Sequence, residues 1–255
     1  MAKIMGEAGQ YPNDQALINH RKILVAGLVA FTVIGAILGL NLGWKLPIAK
    51  QASLKLIVAE AALALAAVGT GIYSARKMDE FERMRRSMRK GANGETRVAQ
   101  ILGGFPESFS VINGLATPLG DLDHVVVGPT GVFIVDSKNW RGVVESDGNG
   151  ELLLNAKPLP KATIGPLVFR TMDVKQTIQS KCDFELPYFQ VVLAFTSAWV
   201  EARWGTTGKA LCVTDEGLYD LIVENKKGKK LNGHQVDAIA QAFEALATID
   251  ENYKR

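Results

Sequence analysis

Long apolar runs organise the first ninety residues of the chain. Ile23 to Trp44 comprises 22 residues without a charge. A helix of that length, at about 1.5 Å per residue, reaches the ~30 Å thickness of the hydrocarbon core of a bilayer. A second run, Leu54 to Tyr73, contains one lysine and one glutamate and is richer in alanine, so its insertion signal is weaker. Because only residues 45–53 separate them, the runs predict an antiparallel transmembrane helical hairpin over 23–75, preceded by a tail over 1–22.

Basic residues flank this hairpin unequally. Three precede the first run and seven follow the second, whereas three lie in or beside the connection. The positive-inside rule therefore predicts a multi-pass protein of the cell inner membrane, with both termini and the soluble domain in the cytoplasm. A cleaved signal peptide is the alternative, but a polar leader of 22 residues and the second apolar run argue against it.

Three glycines and one acid inside the hairpin suggest further roles. Gly35, Gly39 and Gly43 recur every fourth residue and permit close approach of helices. Packing of the two runs against each other is the favoured interpretation, and a homo-oligomer formed through the same glycines is the alternative. Glu60 is a functional candidate because it is ionisable inside an apolar run, but it lies near enough to the membrane edge to reach water. The hairpin is therefore interpreted as an anchor.

The overall net charge of +3 averages three unlike segments. Residues 1–75 carry +3, residues 76–90 carry +4 and residues 91–255 carry −4. The basic segment 76–90 has no glycine or proline and predicts an amphipathic helical linker. Its apolar stripe consists of Met78, Phe81, Met84 and Met88. Because the linker directly follows an apolar run, anionic lipid headgroups are its expected partner, and nucleic acid is the alternative.

From Gly91 onward the pattern is that of a soluble α/β domain over 91–255. Gly91 to Gly94 predicts a break, and a short helix over 95–102 follows it. Further helices are expected around 168–181 and 233–249. Apolar runs of strand length occupy 110–113, 122–127, 132–138, 142–145, 151–154, 189–195 and 210–213. This order predicts a mixed sheet flanked by helices.

Two of these strands flank a glycine-rich connection whose register determines the chemistry. If Gly128–Gly131 form the loop, Val127 faces Val132, and counting outward places Asp123 opposite Asp136. A three-residue loop would instead separate the two carboxylates across the sheet. Both strands are otherwise apolar on both faces, so helices are expected to bury this sheet.

Under the four-residue loop, Lys138 falls on the same face as Asp123 and Asp136. Neighbouring carboxylates repel, and a hard divalent cation relieves that repulsion. A cation and a lysine together suit attack of water on a phosphodiester, because the metal activates water and the lysine stabilises developing charge. The alternative is a strand-end ion pair between Asp136 and Lys138, with Asp123 capping a turn.

The same stretch resembles the nuclease-related domain (NERD), a branch of the PD-(D/E)xK nuclease superfamily. The resemblance covers most of 91–255, and its central 22 residues are the most specific part. It implies a restriction-endonuclease-like mixed sheet flanked by helices and a nuclease site that uses Mg²⁺ or Mn²⁺. The matching residues are Gly94-Glu95 with Val98, Asp123-His124 with the following VVVGPTGVF, Asp136 to Trp140 with Gly142, and Val191 to Ala198.

By position, the resemblance implies roles for four residues. Asp123 and Asp136 are similar to the metal-binding carboxylates, Lys138 to the catalytic lysine, and Glu95 to the helix carboxylate that completes the metal site. Aspartate stands at 136 where glutamate is usual, which shortens the reach of the carboxylate and keeps its charge. Glu95 taken alone also fits a simple electrostatic role at a helix N-terminus.

Several neighbouring residues have weaker signals. Asp121 points to the same side of the strand as the predicted metal ligands and is a secondary candidate. His124 is expected in the core on the opposite face, and Trp140 is expected to pack rather than to stack on a base. The polar residue that the family carries on its following helix is either Gln176 or Gln179.

Two main hypotheses for function follow. The first is a membrane-anchored, Mg²⁺-dependent endonuclease that faces the cytoplasm and hydrolyses nucleic acid, with DNA favoured. The second is a catalytically silent module that binds nucleic acid or a protein partner at the membrane. A third makes the hairpin the functional element and the domain its regulator. The −4 charge of the domain gives no bulk electrostatic attraction to nucleic acid, so the nuclease hypothesis depends on the local cluster and the resemblance.

Overall fold

The computed structural model describes residues 1–6, 27, 31, 34–35, 54–117, 120–202, 209–225 and 230–253. The chain divides into two compact units, one formed by residues 1–11 together with 90–255 and the other by residues 12–89. Apart from four single residues, the first apolar run lies outside the described part, and the second is helical from Leu54. No helix among the described residues is long and apolar enough to span a membrane, so the hairpin stays a prediction.

One long helix and a six-stranded sheet dominate the described part of the chain. The helices are α1 (Leu54–Gly103), α2 (Ile164–Gln179), α3 (Leu218–Ile222, after a 3₁₀ turn at Asp215–Gly217) and α4 (Gly233–Tyr253). The strands are β1 (Lys3–Met5), β2 (Ser110–Leu115), β3 (Leu122–Gly128), β4 (Gly131–Lys138), β5 (Gly142–Ser146), β6 (Leu152–Leu154), β7 (Lys157–Pro158), β8 (Phe189–Phe195), β9 (Ala198–Val200) and β10 (Ala210–Thr214).

The main sheet has the order β1-β2-β3-β4-β8-β10. Strands β2, β3 and β4 are antiparallel neighbours, whereas β8 and β10 continue the sheet in parallel with β4, and β1 is parallel to β2. A smaller sheet has the order β7-β6-β5-β9. The predicted mixed sheet flanked by helices is confirmed.

Each face of the main sheet has its own apolar cluster. Side chains alternate between the faces, so Val125 and Ile134 pack with α2 and α4, whereas Phe133 and Val135 pack with α3 and the last turns of α1. Helices therefore cover both faces, which leaves the strand ends as the place where polar side chains reach solvent.

The predicted break at Gly91–Gly94 is wrong, because α1 continues through both glycines. A glycine inside a helix costs only about 1 kcal/mol relative to alanine, which burial of Val98 and Leu102 outweighs. Gly94 also has a positive reason to be glycine. An added Cβ there would lie 3.1 Å from Cβ of Asn139, so glycine permits the close approach of α1 to the end of β4.

Strand β1 is a feature that the predicted tail over 1–22 did not include. Lys3, Ile4 and Met5 pair with the start of β2, and the backbone N–H of Lys3 donates to the carbonyl of Phe109 at 3.0 Å. The Lys3 amine also forms an ion pair with Asp237 at 3.1 Å. The first residues of the chain are therefore part of the α/β domain.

Candidate active site

The β3–β4 hairpin has the predicted register. Val127 pairs with Val132, and the ladder extends on the loop side to Gly128 and Gly131, so the turn is tighter than the predicted four-residue loop. On the other side the ladder ends with the pair of His124 and Val135. The next residues outward, Asp123 and Asp136, are therefore neighbours across the two strands.

Hydrogen bonds from β4 hold the Asp123 carboxylate. Its Oδ2 accepts from the backbone N–H of Ser137 at 2.8 Å and from the Ser137 hydroxyl at 2.9 Å. The carboxylate is half-buried, and two donors on one oxygen fix its orientation. The other oxygen makes no hydrogen bond within the described part of the chain.

Asp136 is a carboxylate in an unfavourable environment. Its side chain is only 13% exposed, and it forms an ion pair with Lys138. Burial and the negative charge of Asp123 raise the pKa of Asp136, and the cations of Lys138 and Arg170 only partly offset this. The site therefore favours a further positive charge beside Asp136.

Lys138 stays protonated at neutral pH. Burial disfavours its charged form, but the carboxylates of Asp136 and Asp123 outweigh burial, so the pKa of the amine lies above its ordinary value. Lys138 can therefore supply positive charge to an anionic substrate, and it is unsuited to act as a general base.

Glu95 lies on α1. Val98, less than one turn further along that helix, packs on the sheet face opposite to Asp136. No group of three His, Cys, Asp or Glu side chains that could hold a metal ion occurs among the described residues. The structure brings Asp123, Asp136 and Lys138 together at one strand end. A role for Glu95 as a metal ligand stays a prediction.

Arg170 is a cation of the site that the sequence analysis did not identify. It lies on α2 and is close enough to lower the pKa of both Asp136 and Lys138. Its Nη1 donates to the backbone carbonyl of Asp121 at 2.5 Å. Arg170 borders the buried stripe of α2, which runs through Leu167, Thr171 and Val174, so the sequence pattern alone gave no signal for its place in the site.

The carboxylate of Glu151, directly before β6, fixes the start of the helix that carries Arg170. Glu151 accepts hydrogen bonds from the backbone N–H groups of Thr163 at 2.8 Å, Ile164 at 3.0 Å and Gly165 at 2.9 Å. These groups have no partner inside the helix, and the negative charge suits the N-terminus of α2. Glu151 therefore positions Arg170 indirectly.

The other residues that were predicted as site candidates lie in turns, in packing contacts or on the exposed surface. Gln179 accepts from Leu186 N–H and donates to the Phe184 carbonyl, which closes the turn after α2. Gln176 is exposed on the outside of α2, and the Asp121 side chain is exposed. Trp140 packs on Phe195 with ring centroids 5.5 Å apart, as predicted.

His124 is fully buried on the face opposite to Asp123, also as predicted. Its Nδ1 lies 2.8 Å from Oδ1 of Asn113 and donates to it, whereas Nε2 has no partner within the described residues. Burial lowers the pKa of His124 to about 4, against a smaller opposing effect of Asp136. The ring is therefore neutral at physiological pH.

Comparison with known proteins gives one similarity, and it covers the segment that contains this site. Searches of curated proteins and of solved structures gave no match. The family model of the nuclease-related domain (NERD) matches residues 90–182, which are 93 of the 255 residues. The matched segment includes Glu95, Asp123, Asp136, Lys138 and Arg170 and suggests a nuclease-like function. Residues 90–182 are thus similar to the nuclease-related domain.

Proposed function

We propose that the protein is a membrane-anchored, metal-dependent endonuclease that hydrolyses phosphodiester bonds of nucleic acid, with DNA favoured. The observation that carries the proposal is the neighbouring pair Asp123 and Asp136 with Lys138 on the same strand end, inside the segment that matches the nuclease-related domain. A partly buried carboxylate pair beside a protonated lysine is a costly arrangement for stability alone.

The donor set fits a hard divalent cation. Asp123 and Asp136 would hold Mg²⁺ or Mn²⁺, with Glu95 proposed as a further ligand. Magnesium is commonly held by one or two carboxylates together with water and substrate phosphate, so two protein ligands suffice. Such an ion, when bound, lowers the pKa of water and polarises the phosphate. It would also relieve the repulsion that raises the pKa of Asp136.

Ser137 and Lys138 have separate roles in the proposed hydrolysis. Ser137 orients Asp123 through two hydrogen bonds. Lys138 supplies a fixed positive charge toward the phosphate, where negative charge develops during attack by water. Because Lys138 is held by Asp136, this charge is in place before the substrate arrives.

The test is cleavage of labelled single-stranded and duplex DNA and RNA by the full chain in detergent micelles. The full chain is used because a fragment starting at 91 would lack β1 of the main sheet. With Mg²⁺ or Mn²⁺ we expect cleavage that chelator abolishes. D136N or K138M should lower it by about 100-fold or more, whereas D183N and K181M, which change exposed residues after α2, should not. Cleavage that survives both site substitutions would refute the proposed site.

One observation favours the second hypothesis, a silent binding module. The Lys138 amine is already engaged in an ion pair with Asp136. Among the described residues, no group of three His, Cys, Asp or Glu side chains could hold a metal ion. A silent module predicts salt-sensitive binding of nucleic acid or of a protein partner that is indifferent to chelator and to D136N. The cleavage assay therefore separates the two hypotheses directly.

We further propose that the predicted hairpin over 23–75 anchors the domain on the cytoplasmic side of the cell inner membrane, with residues 76–90 against anionic lipid. Strand β1 supports this topology. Because residues 1–11 and 90–255 form one unit, the chain between them must leave and return on the same side, which requires an even number of crossings.

Cysteine labelling tests the topology. In a Cys182→Ala background, a membrane-impermeant maleimide applied to spheroplasts should label Ala49→Cys in the connection between the two runs. It should label Asn93→Cys, at an exposed position on α1, only after permeabilisation. Equal labelling of both before permeabilisation would refute the anchor, and cross-linking of the same samples reports whether the anchors form a homo-oligomer.

A further inference from the structure

Arg170 reaches the candidate site from a different part of the chain. It lies on α2, whose Leu167 and Val174 pack in the apolar cluster on the face that also contains Val125 and Ile134. Side-chain alternation places Asp136 and Lys138 on this same face. The helix therefore directs Arg170 to the face and strand end at which the carboxylates meet.

The local backbone holds the guanidinium in place. Its Nη1 donates to the carbonyl of Asp121, two residues before Asp123. An added Cβ at Gly120 would lie 3.1 Å from both Cζ and Nη2 of Arg170, so the guanidinium packs directly against Gly120. Gly120 has φ +115°, which also favours glycine.

The positive charge of Arg170 is offset only at a distance, by Asp136. No ion pair joins it to an acidic group within the described part of the chain, although Asp136 is near enough for the guanidinium to stabilise its charged form. The side chain is half-buried, and its Nε is buried without a hydrogen-bond partner among the described residues. A partly desolvated cation without a carboxylate is costly, and an anionic ligand would remove that cost.

We propose that Arg170 binds a non-bridging oxygen of the scissile phosphate through its terminal nitrogens. This inference depends on the proposed nuclease function for the identity of the anion. A guanidinium suits the task because it is always protonated and presents planar, directed donors to phosphate.

Charge balance agrees with this role. Asp123, Asp136, Lys138 and Arg170 sum to zero at neutral pH, so a divalent cation held by the carboxylates brings the site to +2. Attack of hydroxide on a phosphodiester monoanion passes through a species with two negative charges. Without Arg170 the site would lack one of the two positive charges that this species requires.

The experiment measures binding and turnover separately in the full chain in detergent micelles. In a D136N background, the affinity for a fluorescein-labelled 20-base-pair DNA is measured by anisotropy over a range of salt concentrations with EDTA present. Each phosphate contact contributes about 0.9 to the slope of log Kd against log salt. We expect R170Q to lower that slope by about one contact. The matched control K175Q removes the same charge from the same helix and should leave the slope unchanged.

In the active protein, R170Q should lower kcat for cleavage by about 100-fold, the usual size of losing one donor to a developing oxyanion. R170K keeps the charge and loses the planar fork, so it should retain the salt slope and show a smaller loss of kcat. Circular dichroism melting of each variant shows whether it folds. If R170Q does not fold, R170K is used for the measurements instead.

The outcomes separate this inference from the proposed function. If the parent cleaves nucleic acid and R170Q matches K175Q in both slope and kcat, Arg170 only hydrogen-bonds the backbone of Asp121. The inference about Arg170 is then refuted, and the proposed nuclease function stands. If the parent does not cleave but R170Q lowers the slope, the nuclease function fails and phosphate binding by Arg170 stands. If the D136N protein binds no nucleic acid at any salt concentration, the inference is overturned as well.

Discussion

The burial of His124 on β3 predicts that the free energy of unfolding falls in acid. His124 is fully buried, and its burial lowers its pKa to about 4 from an ordinary value of 6.5. At pH 7.5 the ring is neutral in the folded and unfolded chains, so it contributes no pH dependence there. As the pH falls below 6.5, the unfolded chain binds a proton that the folded chain does not accept, and stability is lost.

The magnitude follows from the two pKa values. Between pH 6.5 and about 4, each unit of pH removes about 1.4 kcal/mol from the free energy of unfolding. The total loss attributable to His124 is therefore about 3 kcal/mol, and it levels off below pH 4 because both states are then protonated. This is a large fraction of the 5–15 kcal/mol by which typical domains are stable.

The assay is denaturant unfolding of wild type and His124→Gln at pH 7.5 and 4.5, with chelator present. Trp140, half-buried against Phe195, is a fluorescent reporter in the domain. The glutamine side chain of the variant cannot titrate, and its amide can donate to Asn113 as the ring does. Carboxylates that titrate over the same range are shared by both proteins, so they cancel in the difference.

We expect wild type to lose about 2–3 kcal/mol more than the glutamine variant over this interval. Equal losses in the two proteins would refute the reasoning. So would a His124 resonance that titrates near 6.5 in the folded protein, since burial would then not disfavour the imidazolium.

Three other changes have expected outcomes. Gly128→Ala would place a Cβ 2.1 Å from Cδ1 of the buried Phe109 ring, so denaturant unfolding should show a loss of about 1–3 kcal/mol or more; unchanged stability would contradict this close approach. Glu151→Gln removes the charged acceptor at the start of α2 and should cost about 1 kcal/mol in the same measurement, whereas a neutral or stabilising result would show that the cap is unimportant. Burial raises the pKa of Cys212 to about 12, so a thiol reagent at pH 8 should modify the more exposed Cys182 first and reach Cys212 only on unfolding; mass spectrometry of the digested protein tests the order.

The central hairpin is predictable from sequence because its information is local. Alternation along two β-branched strands and a Gly-Pro-Thr-Gly connection determine the register that makes Asp123 and Asp136 neighbours. The face of Lys138 follows from the same count. These features require no knowledge of any element beyond the hairpin itself.

Features that depend on distant packing were missed or misread. The glycines at 91 and 94 indicate a break when read locally, whereas Gly94 lies in a helix and allows the close approach of α1 to Asn139, which only the folded domain reveals. Arg170 reaches the site because Glu151 and the apolar stripe of α2 orient the helix. Arg170 only borders that stripe, and where its guanidinium ends depends on how α2 packs on the sheet.

The pairing of β1 with β2 also has a consequence for biosynthesis. Lys3–Met5 leaves the ribosome more than a hundred residues before its partners at Ser110–Ile112, so the edge of the main sheet cannot close while the intervening segment is still being made. Closing so long a loop costs little more than closing one of half the length, since each doubling adds only about 0.6 kcal/mol. The strand is therefore expected to join the sheet late. Residues 3–5 are therefore translated long before β2 and yet pair with it only after β2 has been made.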